Sequence, residues 1–392
     1  MADLLAVLLV LAVTAVPSPV DAQAAFEPAV IGFDFAVNVA FAPDGTMFVA
    51  DKDIGEIRIV RDGRIVAAPF ATLPVLVTVN ETGLLGIALH PEFPEEPWVY
   101  AYFTDATDGR NRLVRLRADR DSAVERETLL DLLPTTFGWH NGGDMTFGPD
   151  GKLYVAVGDG HDSERAQDPN SLGGRVLRLN PDGSIPADNP FGPDNPTFAL
   201  GIRNSFGLCF DPVTGDLWET ENGPTSDDEV KLIEAGENYG WPEQLGPGGE
   251  PEFVDPVLDY RDSIVPTGCA VSGSALLFGE GYAGNLHRMR IPGPADDVPT
   301  SADEIIATFD GGITDVARAP DGSIWVVTPN TLFRSPALAQ PEATATISRP
   351  VETPSVSPAP GPGGGAAASA SLVILGLLVA GLLLMRRRLL RR

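Results

Sequence analysis

Four short stretches of this 392-residue chain bring together side chains of the kind that do chemistry. The first is Trp139-His140-Asn141-Gly142-Gly143-Asp144, followed after a strand-like run by Gly158-Asp159. Histidine is scarce, four in all, and His140 alone is flanked by Trp, Asn and paired Gly. An imidazole titrates near neutrality, so a loop histidine beside a carboxylate suits a general base. A satisfied structural histidine is the alternative these residues leave open. The second stretch, Gly201-Ile202-Arg203-Asn204-Ser205-Phe206-Gly207, places an Arg-Asn pair in a Gly-bounded turn. It offers donors to an anion or carbonyl, or else a turn held by its own Asn.

The third, Glu219-Thr220-Glu221-Asn222-Gly223-Pro224-Thr225-Ser226-Asp227-Asp228-Glu229, is an oxygen-rich loop around a Gly-Pro turn. Calcium takes six to eight oxygens in irregular geometry, backbone carbonyls included, so a calcium site competes here with a plain acidic loop. The fourth is Glu81-Thr82-Gly83-Leu84-Leu85-Gly86, with Glu81 just ahead of an apolar strand. Its carboxylate faces either a pocket or solvent, and Asn80-Glu81-Thr82 is also a formal glycosylation sequon. Downstream, Asn238-Tyr239-Gly240-Trp241-Pro242 is a ring-rich turn able to wall a pocket.

The elements that must position these loops show in a repeat. One phrase, a proline and a Gly- or Asp-containing turn followed by an alternating apolar strand, recurs with its prolines at 43, 91, 149, 212 and 320. Asp-Gly favours a tight hairpin, and the β-branched and aromatic residues after it favour a strand. The spacings are 48, 58, 63 and 108 residues, the last about twice the others, which implies a degenerate unit near 262–292. Six units of about 50 residues, each with room for four strands, predict an all-β, six-bladed β-propeller over residues 25–335. A pair of β-sandwiches does not repeat at that period.

Composition bounds the partners. Net charge is −27, and five of the 27 basic residues lie in the last seven positions. The remainder is strongly acidic, which disfavours nucleic acid and anionic lipid and suits neutral or cationic partners, or a divalent metal. Cys209 and Cys269 lack CxxC spacing; outside the cytoplasm they could pair, but Cys209, in the apolar run GLCFDP, reads rather as a buried, inert thiol. Residues 4–16 are too short an apolar run to span a bilayer, and Ala22-Gln23-Ala24 follows, so 1–24 reads as a signal peptide, although Asp3 stands where a basic residue is usual. Residues 336–365, rich in Pro, Ala, Ser, Thr and Gly, read as a stalk. Residues 366–385 carry no charge over the length of a transmembrane helix, and the basic tail 386–392 places the C-terminus in the cytoplasm and the propeller outside the cell membrane.

The phrases GLLGIALHPEF, HNGGDMTFGPDGKLYVAVGDG, GRVLRLNPDGSIPADNPFG, GIRNSFGLCFDP, ENGPTSDDEVKLI and ENYGWP, in this order over residues 35–335, resemble the soluble-type PQQ-dependent sugar dehydrogenases, the glucose/sorbosone dehydrogenase family. The resemblance implies a six-bladed propeller that oxidises an aldose sugar with pyrroloquinoline quinone (PQQ) and Ca2+ and passes electrons to an acceptor the sequence does not identify. It implies His140 as catalytic base, Asp159 as its orienting carboxylate, Arg203, Asn204, Asp228 and Gly223 around the cofactor, and Glu81 on the sugar side. The carbonyls of Gly223 and Pro224 would hold the active-site calcium, and Glu229 would lie by a structural calcium. Three departures stand out. Many members carry Arg-x-Arg-Asp-Val before the last blade, where this chain has Gly312-Ile313-Thr314-Asp315-Val316. Phe206 stands where Gln is common, and the shortened fifth blade offers only Arg288 for the family's cofactor lysine. A non-catalytic carbohydrate- or protein-binding propeller, or a calcium-dependent lactonase-type hydrolase, are the alternative functions.

Overall fold

A computed structural model describes residues 26–77, 80–134, 137–291 and 303–335. The segments read as signal peptide, stalk, transmembrane helix and basic tail lie outside the described residues. Among the described residues, no helix is long and apolar enough to cross a membrane.

Six antiparallel sheets follow one another along the chain. The innermost strands, in order, are Ala36–Phe41, Leu84–Leu89, Gly142–Phe147, Ser205–Phe210, Pro266–Ser272 and Asp315–Arg318. Each of the first five blades steps outward strand by strand from its innermost strand, and the first is widened by a short extra pairing of Ala71–Thr72. The sixth closes differently. Its fourth strand is Glu27–Ile31, paired antiparallel with Thr331–Ser335, so the two ends of the domain share one sheet.

The repeated proline phrase is the hairpin between a blade's first and second strands. In the first blade Ala42 and Thr46 close it by a backbone bond, and Asp44 caps it by accepting the Thr46 N–H. The degenerate unit is a complete four-strand blade running to Thr308, so the fifth blade is not shortened. It escaped the pattern because its hairpin, Ser272-Gly273-Ser274-Ala275, contains no proline.

The strands are apolar on both faces because each blade is sandwiched between two others. In Trp98–Thr104, Val99, Ala101 and Phe103 pack toward the first blade, while Tyr100 and Tyr102 pack toward the third. The core is accordingly six clusters, one per blade interface. Each fully buried large aliphatic or aromatic side chain there contributes about 1.5–3 kcal/mol. Cys209 and Cys269 face each other across the interface of the fourth and fifth blades and form a disulfide, with Cα atoms 5.7 Å apart. The inert-thiol expectation is therefore corrected. Two buried thiols 60 residues apart in sequence gave no local sign of pairing; adjacent blades bring them together.

Pairing of five innermost strands slips near their starts, as between Gly142 and Met145 or Ser205 and Gly207. The slips release N–H groups into the central channel, and three polar side chains collect them. Asn38 Oδ1 accepts the Ile87 N–H at 3.0 Å, Asp144 Oδ2 accepts Leu208 at 2.7 Å, and Asp315 Oδ2 accepts Val39 at 3.0 Å. The Asn38 amide bridges Asp144 and Asp315, 3.2 Å from each. A cavity of about 480 Å³ adjoins this cluster, extends toward the proline hairpins and is lined by all six innermost strands.

Candidate active site

The catalytic candidates gather at the other end of the channel, on the connections opposite the proline hairpins. His140 lies on the turn leading into the third blade, with φ of 55°, a left-handed conformation that a β-carbon disfavours. Its surroundings impose that conformation. The His140 N–H donates to Glu81 Oε2 at 2.7 Å, and its carbonyl accepts the Gly160 N–H at 3.0 Å. The ring is then fixed by Asp159, whose Oδ1 lies 2.6 Å from His140 Nδ1.

Asp159 is almost wholly buried, which would be costly for a bare carboxylate. Donors satisfy it: the His161 N–H on Oδ1 at 2.7 Å and the Trp241 indole N–H on Oδ2 at 2.9 Å. With the carboxylate on Nδ1, that nitrogen carries the ring proton and Nε2 presents a lone pair. The His161 ring stands edge-on to His140, centroids 4.8 Å apart. Trp241 is itself placed by Gln167, which donates to its carbonyl at 2.7 Å.

Glu81 is neither a solvated turn residue nor a free sugar ligand. Besides the His140 N–H it accepts Asn141 N–H at 3.3 Å and the Asn204 amide at 3.2 and 3.3 Å. Burial pushes its carboxyl above the usual range, with those donors and His140 pulling the other way. Asn204 also accepts the Gly142 N–H at 3.1 Å. Glu81 and Asn204 thus tie three inter-blade connections into one scaffold beneath His140. The Arg203 carbonyl accepts the Asp159 N–H at 2.9 Å, and its guanidinium donates to the Asn222 carbonyl at 2.7 Å and stacks 5.5 Å from the Trp241 ring centroid. Burial lowers its pKa, while Asp159, Glu81 and Asp228 act to hold the charge.

The acidic loop is organised by Asp228. Its Oδ1 accepts the Gly223 N–H at 2.7 Å, and its Oδ2 accepts Ser263 Oγ–H, Ile264 N–H and Val265 N–H. Both carboxylate oxygens are engaged from within the protein, so Asp228 shapes the loop from beneath. A β-carbon at Gly223 would collide with the carbonyl oxygens of Ser226 and Asp227, so only glycine fits. Among the described residues, no three His, Cys, Asp or Glu side chains form a metal-binding group. A calcium ion at Gly223 and Pro224 would rest on backbone carbonyls, and an all-oxygen turn suits that hard cation. Glu229 accepts the Gly246 N–H at 2.9 Å and pairs with the buried Lys231 ammonium at 2.7 Å. Glu221 contacts the same ammonium, so calcium near Glu229 would share its ligand with a built-in cation.

One cofactor expectation changes and one departure is explained. Arg288 lies on the third strand of its blade and pairs with Glu304, away from the channel. Thr314 supplies no charge: its hydroxyl donates to the carbonyls of Ala36 at 2.9 Å and Val327 at 3.1 Å. Arg203 remains as a cation suited to a carboxylate-bearing quinone, and the Trp241 ring beside it suits a planar one. Sequence reasoning missed His161, although it follows Asp159 by two residues, and the Asn38–Asp144–Asp315 cluster, whose members are far apart in sequence.

The model of the Glucose / Sorbosone dehydrogenase family matches residues 33–332. A Thermus thermophilus protein assigned as an oxidoreductase (glucose dehydrogenase) is 38% identical, with a TM-score of 0.74 over 79% of this chain and 98% of that one. The PQQ-bound aldose sugar dehydrogenase of Streptomyces coelicolor is 31% identical, with a TM-score of 0.71 over 79% and 96%. The aldose sugar dehydrogenase YliI of Escherichia coli is 29% identical over 74% of this chain and 86% of its own length.

Proposed function

The chain belongs to the glucose/sorbosone dehydrogenase family, and from that premise we propose that it oxidises the anomeric carbon of an aldose to the lactone, using PQQ and calcium. The observation that carries this reading is the His140–Asp159 pair, with Nδ1 engaged at 2.6 Å and the opposite ring nitrogen left for substrate. When bound, PQQ supplies the hydride acceptor, and calcium held by the carbonyls of Gly223 and Pro224 polarises it. His140 Nε2 takes the proton of the C1 hydroxyl while the C1–H bond breaks and its electron pair leaves as hydride. The C1–O bond thereby becomes the lactone carbonyl. Asp159 offsets the charge on the imidazolium, and Trp241 and the His161 N–H hold Asp159 in place. Glu81 and Asn204 are positioning residues that keep the His140 backbone in its disfavoured conformation.

The same reading places the domain on the outer face of a cell membrane. The signal-like run at 1–24, the apolar segment 366–385 and its arginine flank support it, and the disulfide is consistent with an oxidising compartment. Because Thr314 stands where relatives carry arginine, a non-catalytic propeller that binds carbohydrate or protein is the second reading. One assay separates the two. The chain is reconstituted with PQQ and calcium and presented with a panel of aldoses and an artificial electron acceptor. Sugar-dependent dye reduction that a chelator abolishes and calcium restores is the expected outcome. Bound quinone absorbance without reduction by any sugar, or no bound quinone at all, would leave the binding propeller.

A further inference from the structure

A cofactor with several carboxylates needs cations around it, because an unpaired buried carboxylate is costly. Arg203 serves one side of the channel mouth, where the third blade passes into the fourth. The sixth blade supplies none at Thr314. Lys52, in the adjoining first blade, lies on the same face. Asp51, Val157 and Glu221 each end the second strand of their blade and pair with the first residue of the innermost strand. The residues that follow, Lys52, Gly158 and Asn222, occupy equivalent corners. Two of those corners lead directly to Asp159 and Gly223, so the third places Lys52 on the active-site face.

The side chain of Lys52 is held there. Its N–H donates to the Phe35 carbonyl at 2.8 Å, and its own carbonyl accepts the Leu84 N–H at 3.0 Å. Its stem lies along Gly83, where a β-carbon would come within 2.7 Å of Lys52 Cγ. Glycine at 83, with φ of 139°, therefore leaves space for the lysine stem. Its ammonium stands 5.2 Å from the Phe35 ring centroid. The side chain thus runs between the connections that open the first and second blades, and the second also carries Glu81, the anchor of His140. It pairs with Asp53, the next residue, at 2.7 Å, whose side chain is one-third exposed. Such a pair contributes little and exchanges readily for a stronger anion.

We propose that the Lys52 ammonium binds a carboxylate of the quinone cofactor on the first-blade side of the mouth, supplying the cation that the sixth blade lacks. The proposal rests on the PQQ reading above. The test is equilibrium binding of PQQ with calcium, followed by quenching of tryptophan fluorescence, for the native chain, Lys52→Met and Lys52→Arg. Met keeps the packing on Gly83 and removes the charge; Arg keeps the charge. The expected result is PQQ affinity weakened about 10- to 100-fold in Lys52→Met, within a few-fold of native in Lys52→Arg, and less salt-sensitive in the Met variant. Melting temperatures read on the same samples establish that all three are folded. Tight binding by the native chain with equal affinity in Lys52→Met overturns the role of Lys52 alone. Failure of the folded native chain to bind PQQ overturns the cofactor reading, and this proposal with it.

Discussion

The two ends of the central channel use the same building material differently. At the mouth, Asp159 is buried and Glu81 half-buried, each carboxylate surrounded by donors from several loops. Deeper in, Asp144 and Asp315 are also buried, but they share the single amide of Asn38 and lie close enough that the Asp144 charge raises the Asp315 pKa. Burial pushes Asp144 up to about 7, against the pull of the Leu208 and Met145 N–H groups. One end distributes donors so that a histidine is held. The other places two carboxyls where a proton on one relieves the pair. Burial by itself therefore does not mark a catalytic carboxylate; the histidine beside Asp159 does.

The largest effect should come from breaking the mouth. His140→Asn removes the base yet tolerates the positive φ that other side chains resist. Turnover should fall by about 10²–10⁴-fold, with PQQ affinity changed only a few-fold. A parallel loss of cofactor affinity would mean that His140 builds the pocket and does not act on substrate. Next is the channel end, where Cys209 and Cys269 line the cavity beyond the aspartates. Replacing both by alanine should cost about 4 kcal/mol in urea unfolding, because the cross-link closes a loop of 60 residues. Sugar oxidation by the folded variant should persist, since the bond lies on the far side of the cluster. Unaltered stability would show that the disulfide adds nothing to blade packing.

The smallest effect tests the aspartate pair. A carboxyl raised in the folded state keeps a proton that the unfolded chain has released. Stability therefore falls as pH rises from about 4, the unfolded value, to about 7, and levels off above. Asp315→Asn removes the second raised carboxyl of the cluster and should recover on the order of 1 kcal/mol of that decline. Urea unfolding at pH 5 and pH 8 measures it for both chains. An identical decline in the two would place its origin elsewhere on this acidic surface.

What the sequence disclosed follows from range. The blade hairpins and the loops around His140, Arg203 and Gly223 are local, so their turn chemistry and residue types are visible in one stretch. The His140–Asp159 pairing came from resemblance and stands in the structure at 2.6 Å. The roles of Glu81 and Asp228 were not legible, because both are defined by backbone donors from other blades. The pairing of Cys209 with Cys269 and the meeting of Asn38, Asp144 and Asp315 were hidden for the same reason. A ring brings together residues from every blade, and no window of sequence contains such a set. Lys52 hid differently. It sits in the turn of a repeat whose phrase looks ordinary, and only its corner in the ring sets it apart.

The sheet shared by Glu27–Ile31 and Thr331–Ser335 sets a schedule for making this molecule. Among the described residues, the earliest strand made pairs with the latest, about 300 residues on, and at 5–20 residues per second that is a wait of roughly 15–60 seconds. Throughout it the first strand has no partner, and the newest blade always presents an open flank to whatever is nearby. The risk of wrong association is therefore greatest just before completion, when the final blade still lacks Thr331–Ser335, the strand that joins it to Glu27–Ile31. Proteolysis is constrained as well: any cut that reaches into Glu27–Ile31 would unlatch the ring.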